Sequence, residues 1–184
     1  MVDRRSPGER DSVDYMLEQW AVVRPDLDLS PFAIIGRISR ISRRFDRQMA
    51  PTFRAYGLST WGFYVLAALN RAGPPYRMKP TDLYRSLLVS SGLMTTRIRR
   101  LEEGGLVQRV PDPDDGRSVL VALTQKGRVL VNEALDEHNR REEAMLAPLT
   151  TRERAVVITS LRKLLVAAGD VAPPAASDVR PSRG

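Results

Sequence analysis

From Phe32 onward, apolar residues recur at steps of three and four: Phe32, Ile35, Ile38, Ile41, Phe45 and Met49. That is the period of one helix face, and Arg37, Arg40, Arg43, Arg44 and Arg47 fall on the other side. Ser30 is placed to cap this helix, Pro31 to occupy its first position, and Pro51 to kink or end it. Ahead of it, residues 11–23 form a shorter amphipathic pattern with Tyr15, Met16, Leu17 and Trp20, closed by Pro25. Behind it, Ser59 caps "LSTWGFYVLAALNRAG", which ends at Gly73-Pro74; "GPPYRM" follows as a loop and Pro80 opens "PTDLYRSLL". The next helix is "SSGLMTTRIRRLEEGG", capped by Ser90 or Ser91 and stopped by Gly104-Gly105.

At Leu106 the period shortens. "LVQRV" and "RSVLVAL" are β-branched runs on either side of "PDPDDG", which predicts a hairpin with Arg117 just past its turn. Thr124 then caps a long charged helix to about Leu146, and Thr150 or Thr151 caps a last one. Val156, Val157, Leu161, Leu164 and Leu165 line one face of that last helix. A short helix, a turn, a polar-faced helix and a hairpin make the winged helix-turn-helix order, a mainly α fold with a small β-wing. The expected organisation is a disordered segment at 1–10, N-terminal helices at 11–56, a winged unit at 57–124, closing helices at 125–169 and a disordered Pro/Ser tail at 170–184.

The helix from Ser90 has two sides. At about 100° per residue with Leu93 at zero, Leu101, Met94 and Ile98 span a buried arc of roughly 140°. Gly92, Thr95, Thr96 and Arg99 lie opposite, with Arg100 at the edge. These are donors, acceptors and a close-approach glycine suited to base edges and phosphates. Arg99 is the first choice for a base contact, by bidentate reading of guanine. Ser90, Ser91 and the helix N-terminal amides suit a phosphate. Arg97 points instead to about 40°, inside the apolar arc. A buried guanidinium must be paired, so its partner is either a structural carboxylate or carbonyl, or a bound anion.

Composition adds polarity and exclusions. The 184 residues are 42% hydrophobic and 28% charged, as in one globular unit or two small ones sharing a core. A net charge of +7 predicts a polyanionic partner, most simply double-stranded DNA. The chain has no cysteine, which excludes disulfides, thiolate metal sites and cysteine nucleophiles. The single histidine, His138 in "LDEHNRREE", reads as a solvated helix-surface residue. No paired carboxylates, metal-ligand cluster, phosphate-binding glycine loop or nucleophile with a base stands out, so no enzyme, metal or cofactor is expected. The amino terminus lacks the apolar run of a signal peptide, and no stretch approaches the ~18 apolar residues of a membrane span. A cytoplasmic protein without membrane contact is expected. A ligand-independent architectural or non-specific DNA binder is the competing reading; it would show equal affinity for promoter and random DNA.

The run Ser90 to Gly127, ending in the Leu-Thr-x-x-Gly of "LTQKG", resembles the MarR family of bacterial transcriptional regulators. "GLSTWGFYVLAALNRAGPP" and the closing helices fit as well, so the similarity covers about residues 11 to 168. The resemblance implies a winged-helix homodimer with interleaved terminal helices, usually a repressor released from a pseudo-palindromic operator by a small anionic or phenolic effector. It makes Arg117 the wing-tip arginine and Asp115 its aspartate partner, with Gly116 in place of a commonly basic residue. A narrower similarity is to the subgroup with an extra N-terminal helix that responds to urate and related anions. By that likeness Trp20, Arg97 and Arg109 match ligand residues, and Tyr64 stands where the subgroup has an aspartate. Gly62 replaces a glutamate that often completes a capping box with Ser59.

Overall fold

The computed structural model describes residues 10–87 and 91–171, the side chains of 91–94 excepted. The chain forms two compact units, divided between Arg141 and Glu142. Helix α1 (Ser12–Val23) starts with a capping box: the Asp11 carboxylate accepts the N–H groups of Val13 and Asp14, and Asp14 accepts that of Asp11. Its buried Val13 lies against Gly36, where a Cβ would stand 3.4 Å from the valine methyl. Arg37 then donates to Asp11 at 2.8 Å and to Asp14 at 2.5 Å, so two carboxylates and one guanidinium hold α1 on the next helix. Burial pushes the Asp11 pKa up, but the N–H groups of Asp14 and Val13 and the Arg37 guanidinium outweigh it and hold the carboxyl below its usual range. Arg37 is thus ion-paired, whereas among the described residues Arg40, Arg43, Arg44 and Arg47 have no carboxylate partner.

Helix α2 spans Ser30–Ala55. Ser30 lies inside its first turn instead of capping it; Leu29 is the cap residue, and Asp28 accepts both the N–H and the hydroxyl of Ser30 at 2.9 Å. Pro51 does not end the helix. An interior proline costs about 3 kcal/mol, but Met49, Thr52 and Phe53 are all buried around it and fix that turn. Helix α3 (Thr60–Arg71) is capped by Ser59, whose hydroxyl accepts the Gly62 N–H at 3.0 Å. A Cβ at Gly62 would come within 3.2 Å of that hydroxyl and 3.5 Å of Leu101, so close packing accompanies the missing capping-box glutamate.

The segment expected as a loop after Gly73-Pro74 contains a strand, β1 (Arg77–Met78). Two residues are too few to show a period of two. Helix α4 (Pro80–Ser86), helix α5 (Ser91–Glu103), and the hairpin β2 (Val107–Asp112) and β3 (Asp115–Leu123) complete the winged unit. The sheet order is β1-β3-β2, antiparallel throughout, with Arg77 opposite Ala122 and Arg109 opposite Val121. The core gathers Phe53, Phe63, Leu66, Leu69, Leu83, Ile98, Val107 and Val121, all essentially inaccessible. Helix α6 (Gln125–Leu146) follows, and helix α7 (Thr151–Ala167) opens with a capping box between Thr150 and Glu153. Arg154 closes the α6–α7 turn by donating to Glu143 at 2.9 Å and to the Leu146 carbonyl at 2.9 Å.

The start of α6 is joined to the end of α5. The Thr124 hydroxyl donates to the Gly105 carbonyl at 2.8 Å and accepts the Gly127 N–H at 3.0 Å. Thr124 N–H donates to the Leu106 carbonyl at 3.1 Å, and Lys126 Nζ donates to the Gly104 carbonyl at 2.9 Å. A Cβ on Gly127 would stand 2.0 Å from the Leu106 carbonyl oxygen. Alanine is intrinsically the better helix former by about 1 kcal/mol, yet Gly127→Ala should destabilise the protein by at least about 1–3 kcal/mol through overpacking. Urea unfolding checks the sign; a more stable variant would show that the α5–β2 turn yields freely.

Candidate nucleic-acid interface

Helix α5 is two-sided as its period requires. Ile98 and Leu101 are 1% and 7% exposed, while Thr95, Thr96, Arg99 and Arg100 are exposed on the other side. Ser90 lies outside the described residues; Ser91 and Gly92 open the helix, with side chains outside the described set. Arg99 Nε stands 3.7 Å from Glu103 one turn on, both groups well exposed. A pair this long and solvated contributes little, which leaves the guanidinium free to exchange partners.

The wing presents Arg117 as an exposed side chain on β3, three residues into the strand. Asp115 does not pair with its guanidinium, as the family likeness implied: the carboxylate accepts the backbone N–H of Arg117 at 3.1 Å and so shapes the turn. The wing is anchored at its turn by Asp112, only 4% exposed. Its carboxylate accepts the Asp114 N–H at 3.0 Å, the Ser118 hydroxyl at 3.0 Å, and lies 3.3 Å from Lys79 Nζ just before α4. The Asp114 N–H is the main influence holding the Asp112 carboxyl below its usual pKa; burial opposes it, and Ser118 and Lys79 add to the lowering.

Behind α5, Arg97 faces inward and is half-buried, but its partner is neither carboxylate nor carbonyl. The guanidinium lies 3.9 Å from the centre of the Trp61 ring on α3. Its Nη1 is buried without a hydrogen-bond partner. Trp61 meets Tyr64 edge-on at 6.2 Å, and Tyr64 meets Phe63 at 5.6 Å and Phe53 at 6.1 Å. His138, expected on a solvated helix surface, is half-buried against Phe63 at 4.9 Å and Phe53 at 5.7 Å. The four residues of the anion-responsive likeness are therefore only partly assembled. Tyr64 and Arg97 share Trp61 as a neighbour. Arg109 on β2 is paired with Glu102 of α5 at 3.2 Å. Trp20 on α1 is 46% exposed, and among the described residues no ring or cation contact joins it to the other three.

Three contributors, Trp61, Glu102 and Asp112, carry no motif of their own. The Trp61-Tyr64 spacing of three on a helix that also buries Phe63 was the available signal for the first; for Asp112 it was an aspartate opening a Pro-Asp turn. Among the described residues no group of three His, Cys, Asp or Glu is placed to hold a metal ion. No helix of the described residues is long and apolar enough to cross a membrane.

Comparison with known proteins places this geometry. A family model described as "MarR family" matches residues 56–118. The HTH-type transcriptional regulator PecS of Dickeya dadantii is 38% identical over 153 residues, 83% of this chain and 90% of that protein. The HTH-type transcriptional repressor NicR of Pseudomonas putida is 26% identical over 143 residues, 76% of this chain and 89% of that one. Among solved structures, a mutant MarR from E. coli complexed with operator DNA superposes with a TM-score of 0.66 at 28% identity, covering 76% of this chain and 99% of that one.

The Asp112 anchor sets a pH dependence. Its folded pKa lies below the unfolded value, so the stabilisation is complete above pH ~4 and is lost as the pH falls through the lower folded value. Asp112→Asn should remove it at every pH. Hydrogen exchange at the Asp114 and Ser118 amides checks this: the difference between wild type and variant should be constant near neutrality and shrink below pH ~4. A difference that grows on acidification would reverse the assignment.

Proposed function

The chain belongs to the MarR family, whose members are DNA-binding transcription regulators and not enzymes, and from that premise we propose a homodimeric repressor that a small anionic or phenolic effector releases from a pseudo-palindromic operator. One observation carries the DNA contact: Thr95, Thr96, Arg99 and Arg100 are exposed directly opposite the buried Ile98 and Leu101. Arg99 serves as the guanine reader, Arg100 and the first turn of α5 as phosphate contacts, and Arg117 as the wing contact. The operator-bound MarR structure of the same fold supports a DNA partner, and NicR's designation as a repressor supports the direction of control.

Dimerisation is supported by apolar sides that a single copy leaves open. On α2, Ile35, Ile38 and Ile41 are 56%, 37% and 50% exposed, and α7 leaves Val156, Leu164 and Leu165 open as well. Exposed apolar helix sides of this kind mark interfaces. A two-fold pair would set its two α5 helices one DNA turn apart, about 34 Å.

The effector reading rests on Arg97. Its buried Nη1 lacks an acceptor, and an anion or phenolate oxygen would supply one. Trp61 offers a ring face beside it, with Tyr64 edge-on to that ring, while Arg109 is available to an anion only in competition with Glu102. An effector that drew Arg97 off Trp61 would favour a population of dimers with α5 displaced from its groove.

Gel-shift titration of DNA adjoining the protein's own gene, with organic anions including urate and with phenols, tests the whole. A specific complex lost with one compound supports repressor and effector together; equal affinity for promoter and random DNA would favour the architectural reading. Arg99→Ala should weaken specific binding by about 10- to 100-fold, about 1–3 kcal/mol, while leaving binding to random DNA nearly unchanged. Arg97→Ala should keep operator affinity within a few-fold and blunt effector release. Loss of DNA binding with intact effector affinity in Arg97→Ala would overturn the division between the two sides of α5.

A further inference from the structure

Most of the chain's excess charge is not on the reading helix. Helix α5 contains three arginines and two glutamates, whereas α2 contains six arginines and a single aspartate, in a chain of net charge +7. At about 100° per residue, Arg40, Arg43, Arg44, Arg47 and Arg54 fall within an arc of roughly 100° along α2. All five side chains are exposed. They extend over about 21 Å of helix axis at 1.5 Å per residue. The side opposite holds Phe45, half-buried, and Met49 and Phe53, buried in the core.

Arg37, on the same side one turn earlier, is satisfied by Asp11 and Asp14. Beyond it the pattern changes: among the described residues, none of the five has a carboxylate within ion-pair distance, and Arg47 turns its Nε to the Arg43 carbonyl instead. Like charges three and four residues apart destabilise an isolated helix. A row that repels itself, without counter-charges among the described residues, calls for an anionic lattice from outside.

We propose that the arginine row of α2 is a second contact for double-stranded DNA, gripping the phosphate backbone without regard to sequence. Duplex DNA carries one negative charge per ~3.4 Å of axis on each strand, so a row of about 21 Å spans about six phosphates of a strand. The guanidinium fork matches phosphate oxygens. A lipid surface fits less well, because an interfacial helix needs apolar residues beside its charges. Within its arc the arginine row offers only Pro51, with Ala50 and Ala55 at the edges, while Phe45, Met49 and Phe53 lie opposite. The contact is independent of whether α5 reads an operator.

The test combines Arg40→Gln, Arg43→Gln, Arg44→Gln and Arg47→Gln in the full chain, with circular dichroism and native mass confirming fold and assembly. The protein is saturated with a short operator duplex, and a labelled duplex of unrelated sequence is then titrated at several salt concentrations. Wild type should bind the second duplex; the variant should lose at least about tenfold in that affinity and flatten the log–log salt slope by about 3. Operator affinity should change less than about threefold. Lysine at the same four positions should retain most of the binding, since charge carries it. An unchanged second-duplex affinity would overturn the proposal, as would an equal loss on the operator. Row-dependent binding to phosphatidylglycerol vesicles without duplex binding would also overturn it, in favour of a membrane. Should no operator be found, the same comparison on unrelated duplex alone still decides the row, and only the regulatory reading falls.

Discussion

The winged unit depends on one close approach, the Leu106 carbonyl against the backbone of Gly127. Four elements meet there: α5 ends at Glu103, β2 leaves at Val107, β3 arrives at Leu123, and α6 begins at Gln125. Thr124 binds both sides of the joint, donating to Gly105 and accepting from Gly127, so the hydroxyl caps α6 and closes the α5 turn at once. A side chain on residue 127 would drive these elements apart. The Leu-Thr-x-x-Gly run is therefore a geometric requirement, and it fixes the angle between the helix that faces outward and the hairpin beside it.

With that end of α5 fixed, the freedom left to the helix lies along its inner side. There the chain places a guanidinium on an indole instead of beside a carboxylate. A cation–π contact contributes about 0.5–2 kcal/mol, and one buried unsatisfied donor costs about 1–3 kcal/mol. The two nearly cancel, so Arg97 sits in its present position with little net preference. A carboxylate partner would have locked it. The stacked arrangement keeps α5 seated through Ile98 and Leu101 while leaving its charged side chain responsive to any acceptor brought to Nη1.

The sequence made the helices legible because their apolar residues recur over three or more turns, and the caps Asp11, Ser59, Thr124 and Thr150 stand at their starts. Ser30 misled because Asp28 accepts both its N–H and its hydroxyl, so Ser30 sits inside the first turn and the helix starts one residue earlier, after Leu29. Strand β1 was hidden by its length, and Pro51 by a core that outweighs it. Within the site, the period placed Arg97 inward and Arg99 outward, but periodicity does not name partners across helices. Trp61, Glu102 and the half-buried setting of His138 all depend on which helix faces which, and that is a property of the fold rather than of any local run.

Net charge and motif pointed to the same polyanion, yet they belong to different helices. On α5 three arginines stand with two glutamates, and one of the three is turned inward. Its outward side thus has too little charge to act by attraction alone; the exposed hydroxyls of Thr95 and Thr96 and the fork of Arg99 suit it to selection by hydrogen bonding. The excess that makes the chain basic is carried by α2, on a side with no base-reading geometry. A composition-based inference of nucleic-acid binding and a helix-face inference of sequence reading are therefore separate arguments about separate surfaces. Their agreement in the linear sequence does not make either one support for the other.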